Sequence, residues 1–186
     1  MIPADAEKHS SHNAPTPDAK APAVMQVLPR LETGGVERGT VDITMALTAA
    51  GRRAIVVSAG GSMVREIERA GGQHFTLPVD SKNPMTMRKN IAALTEFIRA
   101  KNIGVVHARS RAPAWSARAA AERANIPFMT TFHGTYNFNN RVKKAYNAVM
   151  AKGERVIAIS EFIGRHVADE YDVPEDRIRV IPRGID

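Results

Sequence analysis

Apolar residues in this chain gather into short continuous runs instead of alternating with polar ones. The runs fall at residues 23–28, 54–57, 74–77, 103–107, 128–132, 155–159 and 178–181. Between them lie longer stretches with helical spacing, at 36–50, 63–70, 84–101, 114–124, 141–152 and 161–170. A continuous apolar run is the mark of a strand buried on both faces. Strands of that kind alternating with helices predict an α/β fold. It is a Rossmann-like, doubly wound parallel sheet with helices on both faces. The punctuation agrees, since Gly51 closes the first helix, Gly71 and Gly72 stop the second, and Pro78 ends the third strand. Ile91, Leu94 and Ile98 form one stripe of the helix at 84–101, and the alanines of 114–124 suit close packing on a sheet. No internal repeat of fixed period is present.

Residues 1–22 break this pattern. Pro3, Pro15, Pro17 and Pro22 interrupt them and their apolar residues are mostly alanine, so they read as a disordered leader before a domain at 23–186. The leader lacks the apolar centre of a signal peptide. His9 and His12 in so short a tract are not read as a metal site. With 186 residues the chain holds one ordinary domain, not two. It has no cysteine, which excludes disulfides, thiolate metal sites and a cysteine nucleophile, and weakly favours a reducing compartment. Its apolar runs are strand length, far short of the roughly 20 residues that span a bilayer. The formal charge is +7, of which residues 1–20 carry −1 and the rest +8, and a basic folded part suggests an anionic partner: phosphate, nucleic acid or an acidic membrane face.

Ligands of open parallel sheets sit at the carboxyl ends of the strands, so the chemistry is sought just after each run. After the first run, Gly34 and Gly35 open a helix and let a ligand approach free N–H groups, with Glu37 in the first turn. The loop fits neither the dinucleotide nor the P-loop pattern. A plain strand-to-helix turn explains it equally well. After the fourth run stand His107, Arg109, Ser110 and Arg111. The arginines are suited to phosphate or carboxylate; alternatively they cover a surface loop and His107 is a satisfied core histidine. After the fifth run His133 precedes Gly134 at the lip of the sheet. It could donate to a phosphate oxygen or a sugar hydroxyl, and as a general base it would need an accessible nitrogen and a pKa near neutrality. A structural histidine is the other reading. Ser160, after the sixth run, is first of all a helix N-cap.

The order of these motifs resembles the N-terminal domain of bacterial glycosyltransferases of family 4, which have the GT-B fold. The resemblance rests on Gly34 to Glu37, the strand ending at His107, Thr131-Phe132-His133-Gly134, Ile157-Ala158-Ile159-Ser160, and Val180-Ile181-Pro182-Arg183-Gly184-Ile185-Asp186. It implies one domain of a GT-B pair that binds the acceptor, with the C-terminal donor-binding domain absent from this chain. It implies that Gly34 and Gly35 lie near the donor diphosphate or acceptor, and that His133 touches the reacting sugar or phosphate. It also implies retention of anomeric configuration, assisted by the leaving phosphate. His133 is then the catalytic candidate by positioning and electrostatics. Gly34, Gly35, Glu37, His107, Arg109, Arg111 and Ser160 are the substrate-binding candidates. No metal or cofactor is expected, the nucleotide sugar being a co-substrate. The chain departs from the family at Arg183, where Asn is common, and at Arg109, where His is frequent. Arg109 suggests a more anionic acceptor.

The expected activity is hexosyl transfer onto a surface polysaccharide or lipid-linked acceptor, such as lipopolysaccharide core or exopolysaccharide, with the isolated domain inactive. The location implied is the cytoplasm. A basic stretch, Arg141 to Met150, carries Val142, Tyr146, Val149 and Met150 on one stripe. It is either an anionic membrane-docking face on the inner membrane or an ordinary packed helix. Two other readings stand beside transfer: a GT-B sugar-nucleotide epimerase fragment, and a non-catalytic anion-binding α/β module. No aromatic stacking platform is evident, which argues against single-stranded nucleic acid, and no nucleic-acid partner is expected.

Overall fold

Seven strands pair side by side, all in parallel. In the computed structural model, which describes residues 21–136 and 140–184, they are β1 (Ala23–Val27), β2 (Ala54–Ser58), β3 (Gln73–Thr76), β4 (Ile103–Ala108), β5 (Phe128–Phe132), β6 (Arg155–Ala158) and β7 (Ile178–Val180). The sheet order is β3-β2-β1-β4-β5-β6-β7. Chain order reverses between β1 and β4, which leaves a crevice at their carboxyl ends. The connecting helices are α1 (Gly35–Ala49), α2 (Val64–Arg69), α3 (Pro84–Ala100), α4 (Arg111–Ala124), α5 (Arg141–Asn147) and α6 (Glu161–Tyr171). The leader with His9 and His12, apart from Ala21 and Pro22, lies outside the described residues, as do Ile185 and Asp186.

Successive side chains of a strand point to opposite faces, and here both faces are buried. Ile55 and Val57 of β2 enter one core with Met25, Val27, Val106 and Ala108. Val56 between them enters the other, with Leu28, Val41 of α1 and Ile67 of α2. The buried aliphatic side chains of α3, α4 and α6 belong to the first core. α1 and α2 therefore lie on one face and α3, α4 and α6 on the other. Ala114, Ala117, Ala120 and Ala121 are wholly buried, so α4 lies close on the sheet as its composition suggests. In α3, Leu94 and Ile98 are buried and Ile91 is half-buried.

The helix ends have local causes. Asn83 accepts from the N–H groups of Met85 and Thr86, with Pro84 next in place. Asn125 and Asp172 take the left-handed conformation that ends α4 and α6. At Gly61, φ is +144° and a side chain would strike the Leu31 carbonyl, so the turn after β2 requires glycine.

Three elements differ from the sequence pattern. β4 runs on through Ala108, so His107 is inside the strand. α4 starts at Arg111 and takes that residue into its first turn. The helix expected over 141–152 ends at Asn147 and continues as a 3₁₀ turn, Ala148–Lys152, because Val149, Met150 and Ala151 are drawn into the core. That tightening breaks the apolar stripe. Val149 and Met150 are buried, whereas Val142 is 79% exposed, so the segment does not present one continuous docking face. At the far edge of the sheet, the Arg179 guanidinium of β7 donates to the carbonyls of Asp176 (2.9 Å) and Ile178 (2.8 Å).

Phe132 closes β5, fully buried, with its ring 5.0 Å from that of Tyr136 and 5.6 Å from that of Tyr171. Phe132→Ala is expected to lower stability by about 3–5 kcal/mol, read as a fall in the urea midpoint with the denaturant slope unchanged.

Candidate functional site

Strand register selects which polar side chains meet. Gln26 of β1 is the partner of His107 in β4, and His107 is the partner of Met129 in β5. Two residues further along, on the same face, come Arg109 after β4 and Thr131 in β5. His133 follows two beyond Thr131. Gln26, His107, Arg109, Thr131 and His133 therefore share the α1 face and climb toward the carboxyl edge at the β1/β4 reversal.

Buried polar groups need partners, and the lower ones have them. The Gln26 amide nitrogen donates to the Thr40 carbonyl and to Thr44 Oγ1, each at 3.2 Å, both on α1. The Gln26 oxygen accepts from Arg109 Nη1 at 3.0 Å. His107 Nε2 is 2.7 Å from Thr131 Oγ1. Burial first, then Arg109 and His133, hold the His107 pKa well below the usual histidine value, so it is neutral. The structure thus places His107 beneath the lip as a bonded interior residue.

Arg109 is 5% exposed. Gln26 is its one recorded hydrogen-bond partner, its Nε is buried without a partner, and no carboxylate pairs with it among the described residues. Burial, then Arg183, lower its pKa to about 10, while Asp42 and Glu37 act the other way. It stays charged near neutral pH. Its Nη2 rests against Gly39, where a Cβ would lie 2.9 Å away, so the missing side chain on α1 makes room for the guanidinium.

Above Arg109 is the start of α1. Gly34 caps it with no side-chain hydrogen bond. First-turn N–H groups of a helix have no partner within the helix and carry partial positive charge. The Glu37 carboxylate folds back against Gly34. Arg183, from the stretch after β7, lays Nη1 over Gly35 and Nη2 against His133 Nδ1. The other His133 nitrogen, Nε2, is buried without a partner. Burial, then Arg109 and Arg183, push the His133 pKa down to about 3. A ring that resists protonation so strongly is a poor general base at neutral pH. It is a neutral hydrogen-bonding group beside two cations.

The edge therefore brings together Gly34, Gly35, Glu37, Arg109 and His133, with His107 just below. It does not bring in Arg111 or Ser160. Arg111 turns toward α5, its guanidinium 4.4 Å from the centre of the Tyr136 ring and its Nη1 donating to Asn147 Oδ1 at 2.9 Å. Ser160 Oγ accepts from the Ile163 N–H at 3.2 Å and caps α6. Gln26, Gly39 and Arg183 were not among the sequence candidates. Gln26 carried a signal, as the polar interruption of an apolar strand, and so did Gly39, one helical turn after Gly35. Arg183 carried none as a site residue.

Among the described residues no cluster of three or more His, Asp or Glu could hold a metal ion, and no helix is long and apolar enough to cross a membrane. A shallow depression of about 790 Å³ between α3 and α4, lined by Thr95, Glu96, Arg99 and Arg123, involves none of these groups.

Residues 33–186 match the model of Glycosyltransferase Family 4. A glycosyltransferase from Rickettsia africae superposes with a TM-score of 0.78 at 41% identity, over 90% of this chain and 44% of that one. Anabaena HepE, in complex with UDP and glucose, superposes with a TM-score of 0.68 at 16% identity, over 89% of this chain and 45% of that one. A UDP-N-acetylglucosamine 2-epimerase from Rickettsia bellii has a TM-score of 0.60 at 17% identity, over 84% and 43%. The last two share the fold alone. The chain spans less than half the length of each of these three proteins. No curated protein matches it.

The histidines set a pH dependence. His133 titrates near 6.5 when unfolded and near 3 when folded. Between those values the unfolded chain holds more protons, so this contribution is intact above about pH 6.5 and is lost as pH falls toward about 3. His107 acts in the same sense. The urea midpoint should therefore fall from about pH 7.5 to about pH 4.5, and His133→Gln should show a smaller fall.

Proposed function

The chain belongs to glycosyltransferase family 4, and from that premise we propose that it forms the acceptor-side half of a retaining hexosyltransferase. The enzyme moves a hexose from a nucleotide sugar to a surface saccharide or lipid-linked acceptor, of the lipopolysaccharide-core or exopolysaccharide kind. The observation that carries this reading is Arg109. A charged guanidinium is buried at the β1/β4 reversal with a neutral amide as its recorded partner and an unused Nε, beside the start of α1, Arg183 and His133. A buried charge is costly unless paired, and an anionic group of donor or acceptor would supply the pair.

In the transfer, the bond from the anomeric carbon to the leaving phosphate oxygen breaks. The acceptor oxygen bonds to that carbon on the same face, and its proton passes to the leaving phosphate. The chain's part is to stabilise charge growing on phosphate with donors already in place. Arg109 and Arg183 supply positive charge, the start of α1 supplies N–H groups, and neutral His133 supplies position. This route needs no protein base, in keeping with a histidine whose pKa lies near 3. The reaction belongs to the cytoplasm, where nucleotide sugars are made.

The epimerase reading rests on fold alone, and product analysis separates the two: transfer yields a new glycosidic bond, epimerisation an altered nucleotide sugar. In the full-length enzyme, Arg109→Ala should weaken acceptor binding about tenfold, equivalent to ~1.4 kcal/mol. Unchanged acceptor affinity would remove the assigned role. The 186-residue chain alone should release no nucleotide from any nucleotide sugar in the presence of acceptor. Turnover by this chain would overturn the division of labour between two halves.

A further inference from the structure

Arg183 and His133 stand 50 residues apart in sequence, one after β7 and the other at the end of β5. We propose that Arg183 is the positioning residue of His133: its guanidinium donates to Nδ1, which fixes the neutral ring with its proton on Nε2 and leaves that N–H as a donor for a ligand oxygen.

The argument begins with the inventory of the two groups. A guanidinium has donors only and remains protonated. The nitrogen facing it must therefore accept, so Nδ1 carries the lone pair. A neutral imidazole has one ring proton, which is then on Nε2. Nε2 is buried and has no partner in the described structure. A buried N–H calls for an acceptor, and a phosphate oxygen or a sugar hydroxyl has that chemistry.

The seat for Arg183 is also built. A Cβ at Gly35 would lie 2.6 Å from Arg183 Nη1, so a side chain there would make the guanidinium shift. This gives the second glycine of the pair a role apart from ligand approach. The charged and titratable groups acting on His133 are Arg109 beyond β4 and Arg183 itself, with neutral His107 below on β4. Glu37 of α1 lies against Gly34 and acts on Arg109. Protonating His133 would set a third positive charge beside two others and destroy the acceptor that Arg183 uses.

The inference deepens the transfer reading and rests on it for the meaning of the Nε2 donor, but its test reads the ring alone. The 186-residue chain, with nitrogen-labelled histidine, is compared with Arg183→Ala and Arg183→Lys by long-range proton–nitrogen NMR near neutral pH. His133→Gln assigns the resonances by deletion. The expected wild-type pattern is a protonated Nε2 and an unprotonated Nδ1 shifted by hydrogen bonding. In Arg183→Ala the Nδ1 signal should move to the position of a free ring nitrogen, and the titration midpoint should rise. Arg183→Lys, which keeps a cationic donor, should recover both in part. A wild-type ring protonated on Nδ1, or an Nδ1 signal unaffected by Arg183→Ala, would overturn the assignment. Either result leaves the transfer reading standing. A full-length enzyme that epimerises instead would remove that reading without altering the ring result.

Discussion

The arrangement at the sheet edge depends on one cation held by one neutral amide. Arg109 is buried where no carboxylate of the described chain pairs with it, and Gln26 orients it. That single bond constrains much around it. The Gln26 amide cannot flip, because its nitrogen is held by Thr40 and Thr44 on α1. α1 must come close, which it does with a glycine at the point of contact. Both neighbouring histidines are held neutral, by burial and by the field of the guanidinium. An amide partner leaves the charge largely uncompensated, whereas a carboxylate would have quenched it. The edge keeps its positive potential because its internal partner is neutral.

A fixed group of donors of this kind suits chemistry in which negative charge grows on oxygen. It costs no reorganisation when that charge appears. The chain spans less than half the length of the solved proteins it matches. In the transfer proposed above, these residues bear on where an anionic oxygen rests.

Much of the fold was legible because burial on both faces leaves a simple imprint. Apolar runs marked the inner strands, the edge strands β3 and β7 were marked by shorter runs broken by polar residues such as Thr76 and Arg179, and the alanines of α4 announced a close-packed helix. The boundary errors have physical causes. Nothing local distinguishes Val149 and Met150 as core from a stripe continuing Val142, since tertiary packing alone tightens the turn there. Gly34, Gly35, Glu37, Arg109 and His133, picked by looking after the strands, lie together at the sheet edge, because that rule is about position. Arg111, picked by the same rule, lies apart because the rule ignores face: Arg109 lies toward α1, whereas Arg111 has already entered α4 and points toward α5. Gln26 escaped because its importance comes from cross-strand register with His107, which no single segment records. Arg183 was visible only as a departure from the family's usual Asn, and its contact with His133 depends on the whole sheet being assembled.

Arg179 has a bearing on how copies of the chain behave toward one another. An outermost strand presents unpaired backbone groups, and these can recruit the strand of a second molecule. In β7 the guanidinium of Arg179 already occupies the carbonyls of Asp176 and Ile178. A charge sits where an incoming strand would have to dock, and part of the backbone's accepting capacity is spent inside the chain. The strand ends the sheet chemically as well as geometrically, and this favours solubility over edge-to-edge growth.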